Sequence, residues 1–249
     1  MLSHARTDRP APNAQVYRAS VRPASELGGL LDEHELLRRD TYRHDADRDR
    51  FATGRALARI VLGERIGTHP ADIRFTPRCR TCDGPHGQLF VNGRPDTNIS
   101  LSHAGDYVLF GVAESIPIGV DIELIAATDF PGFARLALAR GETAVTLAER
   151  ATTWVRKEAI LKATGFGLAV EPNRLRVSTP HSPAAELRAW AAPQPAPPPL
   201  TLVDLAAPDG YAAAAVVLAR DVVPPVLRDG EEHLTTWVAA AAPARTTRR

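Results

Sequence analysis

Cysteine is scarce in this 249-residue sequence, with Cys79 and Cys82 the only two. A disulfide scaffold is excluded for a chain of this size, and reduced thiols are the simpler reading. Long apolar runs are also missing. The longest, Tyr211 to Ala219, falls well short of the roughly 20 helical residues that cross a bilayer. Met1 to Ala14 carries charges and prolines but no apolar stretch of secretory type, so a cytoplasmic protein with no membrane partner is expected. Excess charge of one sign is absent too, the formal net charge being +1 at pH 7. Binding through bulk positive charge is thereby not suggested, and no nucleic-acid partner is expected. Lysine is rare beside arginine, which makes each individual lysine worth following.

What is present is ordinary for a globular protein: 44% apolar and 24% charged residues. The length suits one large domain or two small ones. Apolar periodicity predicts helices over 30–39, 45–66 and 153–164, the last stopped by Gly165, and a helical stretch over 130–148 punctuated by Pro131 and Gly141. Strands are expected at 16–21, 73–76, 98–102, 107–113, 118–124, 174–178, 186–190, 201–205 and 211–218. Residues 77–95 read as turn-rich, and Pro193 to Pro199 as an extended loop. Each half runs through a helical region before a set of strands. The expected organisation is a flexible N-terminus at 1–14, subdomains at 15–117 and 118–225, and a poorly ordered tail at 226–249.

Five clusters bear on chemistry. Along the strand 118–124, side chains alternate faces, so Ile118, Val120, Ile122 and Leu124 point to a core while Gly119, Asp121 and Glu123 point away. Two carboxylates on one face suit a hard divalent cation, although a solvated edge strand is the simpler reading of an isolated pair. In the helix 153–164, Trp154, Glu158 and Lys162 recur at i, i+4 and i+8 and share a face. Ser102 and His103 end a strand before a turn, where contact with phosphate suits them better than a hydrolytic dyad. Arg43, Arg48, Arg50, Arg55 and Arg59 form a basic run whose guanidinium forks match a terminal phosphate. Cys79, Cys82 and His86 have metal-ligand spacing, but zinc would need completion by another residue, and thiols in a loop remain the simpler account.

Taken in order, Ser100-Leu-Ser-His-Ala-Gly105, Gly119-Val-Asp-Ile-Glu123 and Trp154-Val-Arg-Lys-Glu-Ala-Ile-Leu-Lys-Ala-Thr-Gly-Phe-Gly-Leu168 resemble the 4′-phosphopantetheinyl transferases of the surfactin-synthetase-activating type. The upstream run 45–59 agrees, and the likeness extends from about residue 30 to about residue 220. The resemblance implies an α+β fold of two similar α/β subdomains about a pseudo-twofold axis, with coenzyme A and Mg²⁺ (or Mn²⁺) in the cleft between them. It implies transfer of the phosphopantetheine arm of coenzyme A to a serine of an apo acyl or peptidyl carrier protein, by a monomer serving fatty-acid, polyketide or nonribosomal-peptide synthesis. Asp121, Glu123 and Glu158 fall on the metal-ligand positions. Lys162 falls on the diphosphate lysine, Ser102 and His103 on phosphate contacts, Arg50 on the 3′-phosphate arginine, and Lys157 on a further cofactor contact. Proton abstraction from the acceptor serine is assigned to Glu158, directly or through a bound water, with Glu123 the competing base.

Two positions depart from the family's pattern. Gly87-Gln88-Leu89 stands where relatives often carry Gly-Lys-Pro, and Glu142 matches only loosely the glutamate expected between the carboxylate blocks. The rival readings are a non-catalytic coenzyme A or carrier-binding module, and a metal-dependent diphosphohydrolase acting on coenzyme A.

Overall fold

A six-stranded sheet and a three-stranded sheet, each backed by one long helix, organise the residues that this computed structural model describes, 14–80 and 82–241. The chain begins with strand β1 (Gln15–Ser20), the short helix α1 (Ala24–Leu27) and helix α2 (Glu33–Asp40). Asp32 opens α2 through a capping box with Glu35, which satisfies two otherwise orphaned helix-end donors. Helix α3 (Asp45–Ile66) has the range that the periodicity predicts, with Asp45 and Asp47 in its first turn and Gly67 closing it at φ +67°.

Strands β2 (Phe75–Arg78), β3 (Gln88–Val91), β4 (Thr97–Ala104) and β5 (Tyr107–Glu114) follow. With β1 they build a sheet of order β11-β1-β5-β4-β3-β2, where β11 is Val226–Asp229 near the other end of the chain. β1 pairs with β11 in parallel, and the other pairings are antiparallel. β6 (Ile118–Leu124) begins the second sheet and is followed by α4 (Phe133–Ala137) and α5 (Leu147–Thr164). A β7–β8 hairpin (Leu175–Val177 with Leu187–Trp190) then leads to β9 (Thr201–Asp204) and β10 (Tyr211–Val217), which join β6 in the order β6-β10-β9. Helix α6 (Glu231–Ala241) comes after β11.

The layers run α3, first sheet, second sheet, α5. On β5, Val108, Phe110 and Val112 face the α3 core, while Leu109 and Ala113 face Ile118, Val120 and Ile122 of β6. Both faces of this strand are therefore apolar, which explains its near-continuous hydrophobic run. On β10, Ala213, Ala215 and Val217 join the layer between the sheets, and Ala214 and Val216 meet Val155, Ala159, Ile160 and Ala163 of α5.

Three expectations are corrected. The helix expected over 130–148 shrinks to α4, because Gly141 turns the chain at φ +84° and the Glu142 carboxylate accepts the Ala139 amide. The turn-rich 77–95 contains β3, a four-residue strand beside the edge whose apolar run Leu89-Phe90-Val91 is too short to stand out among the surrounding turns. The tail expected to be poorly ordered from 226 instead supplies β11 and α6. Leu234 is fully buried against the α3 core, with Trp237 and Val238 packed beside it at helical spacing in an alanine- and threonine-rich context. Residues 1–13 and 242–249, the rest of the two terminal segments, lie outside the described residues.

Candidate active site

Asp121 and Glu123 leave β6 on the face that α5 covers. That face is packed, so the solvated-edge reading of the pair fails: Asp121 is only 5% exposed. Gly119 makes the close approach possible, since a Cβ there would collide with the Ala159 carbonyl and lie 2.5 Å from the Ala163 amide. Asp121 is thereby brought against the helix face that carries Glu158 and Lys162. Helix α5 is fixed at both ends, by a Thr146–Glu149 capping box and by Gly165 at φ +73°.

Its middle is anchored by Arg156, 1% exposed, which grips Asp204 of β9 through Nε (2.7 Å) and Nη2 (2.5 Å) and donates to the Ser178 and Thr179 carbonyls. With that side of the helix locked, Trp154, Glu158 and Lys162 all line one cavity of about 1410 Å³. Arg50, Arg55, Ser102, His103, Asp121 and Glu123 line it as well.

The hydrogen bonds give the site a direction. Asp121 Oδ1 accepts both the Ser102 hydroxyl (2.7 Å) and the Lys162 ammonium (2.6 Å). Ser102 also accepts the Ile122 amide and Ser100 the Val120 amide, so the two serines of β4 bind the first sheet to β6. Glu123 Oε1 accepts the Leu124 amide. Glu158 differs from its neighbours: its Oε1 is buried without a hydrogen-bond partner. An orphaned carboxylate oxygen in such surroundings is costly unless a proton or a cation meets it.

The titration directions agree. Burial, with Asp121 and Glu123 nearby, pushes Glu158 up to about 7 despite the opposing pull of Lys162. Burial also raises Glu123, partly opposed by its bond to the Leu124 amide. Three carboxylates against one ammonium leave a net negative charge that a divalent cation would neutralise, and hard oxygen donors select Mg²⁺ or Mn²⁺ over softer ions. The donor set therefore fits such an ion.

His103 keeps an exposed edge at the cavity, but burial of the rest of the ring lowers its pKa, and Lys162 and Arg50 lower it further. Arg50 donates to the Gly105 carbonyl (3.0 Å) and to Asp47 (2.6 Å). The Gly105-Asp106 turn is itself held by Tyr211, whose hydroxyl accepts the Asp106 amide. Arg55 lies over Phe51 and Phe75, and its buried Nη1 has no hydrogen-bond partner.

Not every expected residue converges here. Lys157, expected at a cofactor contact, does not line the cavity. It is fully buried away from the cavity, donating to the Ala137 carbonyl (2.6 Å) and paired with Glu142. Glu142 accepts the Ala139 and Val177 amides as well, so it is a structural hub and not part of the carboxylate cluster. Arg59 is likewise internal, held by Asp32, Glu35 and the Ile73 carbonyl. Arg48 is tied to Asp45 and the Tyr42 carbonyl. Sequence reasoning gave no reason to single out Arg55 from this run. Its signal is the aromatic pair that holds it at the cavity, visible only after folding.

A carboxylate floor facing amine, imidazole and guanidinium groups defines a site suited to a metal-bridged phosphate ester or diphosphate. The comparisons narrow this to a family. Residues 117–216 match the profile of the 4′-phosphopantetheinyl transferase superfamily. The chain is 29% identical over 242 residues to the 4′-phosphopantetheinyl transferase HetI of Nostoc sp., covering 88% of this chain and 95% of that one. It is 30% identical over 155 residues to a Synechocystis sp. protein provisionally named a 4′-phosphopantetheinyl transferase. That second match covers 56% of this chain and 59% of the relative, less than two thirds of the relative's length. The chain is thus similar to the 4′-phosphopantetheinyl transferase superfamily, through its profile over residues 117–216 and through one named member over most of the chain's length. Among the described residues, no helix is long and apolar enough to cross a membrane.

Proposed function

We propose that this protein is a transferase of the surfactin-synthetase-activating type that moves 4′-phosphopantetheine from coenzyme A to a serine of an apo carrier protein. The observation that carries the reading is the partnerless Glu158 oxygen beside Asp121 and Glu123, in a cavity that Lys162, His103, Arg50 and Arg55 also line. Asp121, Glu123 and Glu158 would hold Mg²⁺, or Mn²⁺ in its place. When bound, that ion supplies charge neutralisation at the diphosphate oxygens.

The chain's own groups do the rest. The carrier serine oxygen attacks the β-phosphorus of coenzyme A, a new P–O bond forms, and the bond to the bridging oxygen breaks. The hydroxyl proton passes to a carboxylate. Glu158, whose Oε1 is buried without a hydrogen-bond partner, suits that role better than Glu123, which already accepts the Leu124 amide. Lys162 neutralises the departing 3′,5′-ADP, and His103 and Arg50 orient phosphate groups at the cavity wall. Ser102 fixes Asp121 through its hydroxyl.

We read the architecture as two similar halves, 15–117 and 118–225, about a pseudo-twofold axis. In support, each half sets one long helix, α3 or α5, against an antiparallel sheet. A monomer acting in the cytoplasm is the simplest form consistent with this reading.

The test is to incubate the protein with coenzyme A, Mg²⁺ and apo carrier proteins of fatty-acid, polyketide and nonribosomal-peptide type, and to weigh each carrier. A mass gain of one phosphopantetheine is expected, and Asp121→Ala is expected to abolish it. No gain on any carrier would refute the reading, and coenzyme A turnover without carrier would favour a hydrolase.

A further inference from the structure

The chain's only two cysteines sit together on the loop between β2 and β3, joined by a histidine. One ligand atom each of Cys79, Cys82 and His86 lies within 4.8 Å of the others, and Cys82 Sγ is 3.1 Å from His86 Nε2. The loop is built for this convergence. The Asp83 amide returns to the Cys79 carbonyl (2.9 Å) and the Cys79 amide bonds the Gly84 carbonyl (3.0 Å), closing a tight turn with Asp83 at φ +58°. Cys82 Sγ and His86 Nε2 both lean over Gly84, 3.2 and 3.3 Å from where a Cβ would stand. Gly87, at φ +89°, then passes close to the Arg78 carbonyl and Cys79 Cα. A side chain at Gly84 would crowd the two donors, and one at Gly87 would be strained by its backbone.

We propose that Cys79, Cys82 and His86 form a three-ligand site for a soft divalent ion, zinc being the natural occupant, separate from the carboxylate cluster. Two thiolates and an imidazole are soft and borderline donors, the opposite of the oxygen set at Asp121, Glu123 and Glu158. With three protein ligands the fourth position belongs to solvent or to a ligand, and all three residues line the large cavity. Binding releases the thiol protons to solvent and involves no change of oxidation state. The site would brace the β2–β3 hairpin where it meets the other half of the molecule, because the space in front of Gly165 at the end of α5 is filled by Arg80 and Gln88.

The experiment uses the full chain, reconstituted with zinc chloride under reducing conditions, desalted, and analysed for metal by plasma mass spectrometry. About one zinc per chain is expected in the wild type and in Asp121→Ala. Cys82→Ser and His86→Ala are expected to retain less than about a tenth of that. Cobalt substitution should give a thiolate-to-cobalt charge-transfer band in the wild type and none in Cys82→Ser. The exposed position of Cys82 and His86 means that both variants should fold, which circular dichroism checks. Absence of zinc from the wild type, equal zinc in Cys82→Ser, or loss of zinc in Asp121→Ala alone would each overturn the proposal. So would an intact mass showing a Cys79–Cys82 disulfide after reconstitution. None of these readouts depends on transferase activity.

Discussion

Lys162 and Ser102 donate to the same oxygen, Asp121 Oδ1, at 2.6 and 2.7 Å. In the ligand-free chain the ammonium thus sits beside the carboxylates that would otherwise draw in a cation. Lys162 accordingly has two opposed effects: it lowers the negative charge available to a metal, and it supplies positive charge for the leaving diphosphate. We expect Lys162→Ala to bind Mg²⁺ several-fold more tightly in a calorimetric titration while its kcat falls roughly 10²–10³-fold. Weaker Mg²⁺ binding in this variant would refute the opposition.

Glu158 carries the pH dependence. Its pKa is raised from 4.5 to about 7 in the metal-free protein, so the folded state favours the protonated acid. The sign follows from linkage: this contribution is fully present below about 4.5 and is lost as pH rises through about 7, an effect on the order of 3 kcal/mol. The melting temperature of metal-free protein should fall from pH 5 to pH 8, and Glu158→Gln should flatten that slope. Mg²⁺ should bind more tightly across the same interval. A slope that survives in Glu158→Gln would remove Glu158 as its source.

Buried Lys157 and Glu142 make a separate prediction. Truncating the lysine strands a carboxylate that is 7% exposed, so Lys157→Met should lose roughly 3–5 kcal/mol in urea unfolding. Replacing both, as Lys157→Met with Glu142→Gln, should recover part of the loss. Because neither residue lines the cavity, the coenzyme A KM of whichever variant folds should stay within about twofold of wild type. A large rise in KM without loss of stability would return Lys157 to the cofactor.

The close approach of β6 and α5 at Gly119 is testable by a single methyl group. Gly119→Ala places a Cβ against the Ala159 carbonyl and the Ala163 amide, backbone atoms that cannot rotate away. The helix must shift, carrying Glu158 and Lys162 with it. Destabilisation of about 1–3 kcal/mol or more is expected, together with a loss of kcat larger than the folded fraction explains. Full activity in the folded fraction would show that the spacing has slack.

Much of this site is legible without coordinates, and the reason is local. Ile118–Leu124 alternates cleanly, and the helix after Thr153 places Trp154, Glu158 and Lys162 one turn apart, so the faces follow from geometry. Long-range packing is where legibility stops. Lys157 is adjacent to Glu158 and shares its motif, yet the helix turns it about 100° away, toward Glu142. Leu234, Trp237 and Val238 acquire their meaning from the α3 core, far away in sequence. The helix expected over 130–148 gives way because the Glu142 carboxylate offers backbone amides an alternative to helical bonding.

The parallel pairing of β1 with β11 also sets the timing of folding during synthesis. Ser20 and Glu231, which bond beside that pairing, are 211 residues apart in the chain. Until residues 226–229 leave the ribosome, β1 has one unpaired edge and the α3 core lacks the cover of α6. A nascent chain stalled anywhere in the second half therefore presents an open strand beside exposed apolar surface, the combination that holdase chaperones bind and that seeds aggregation.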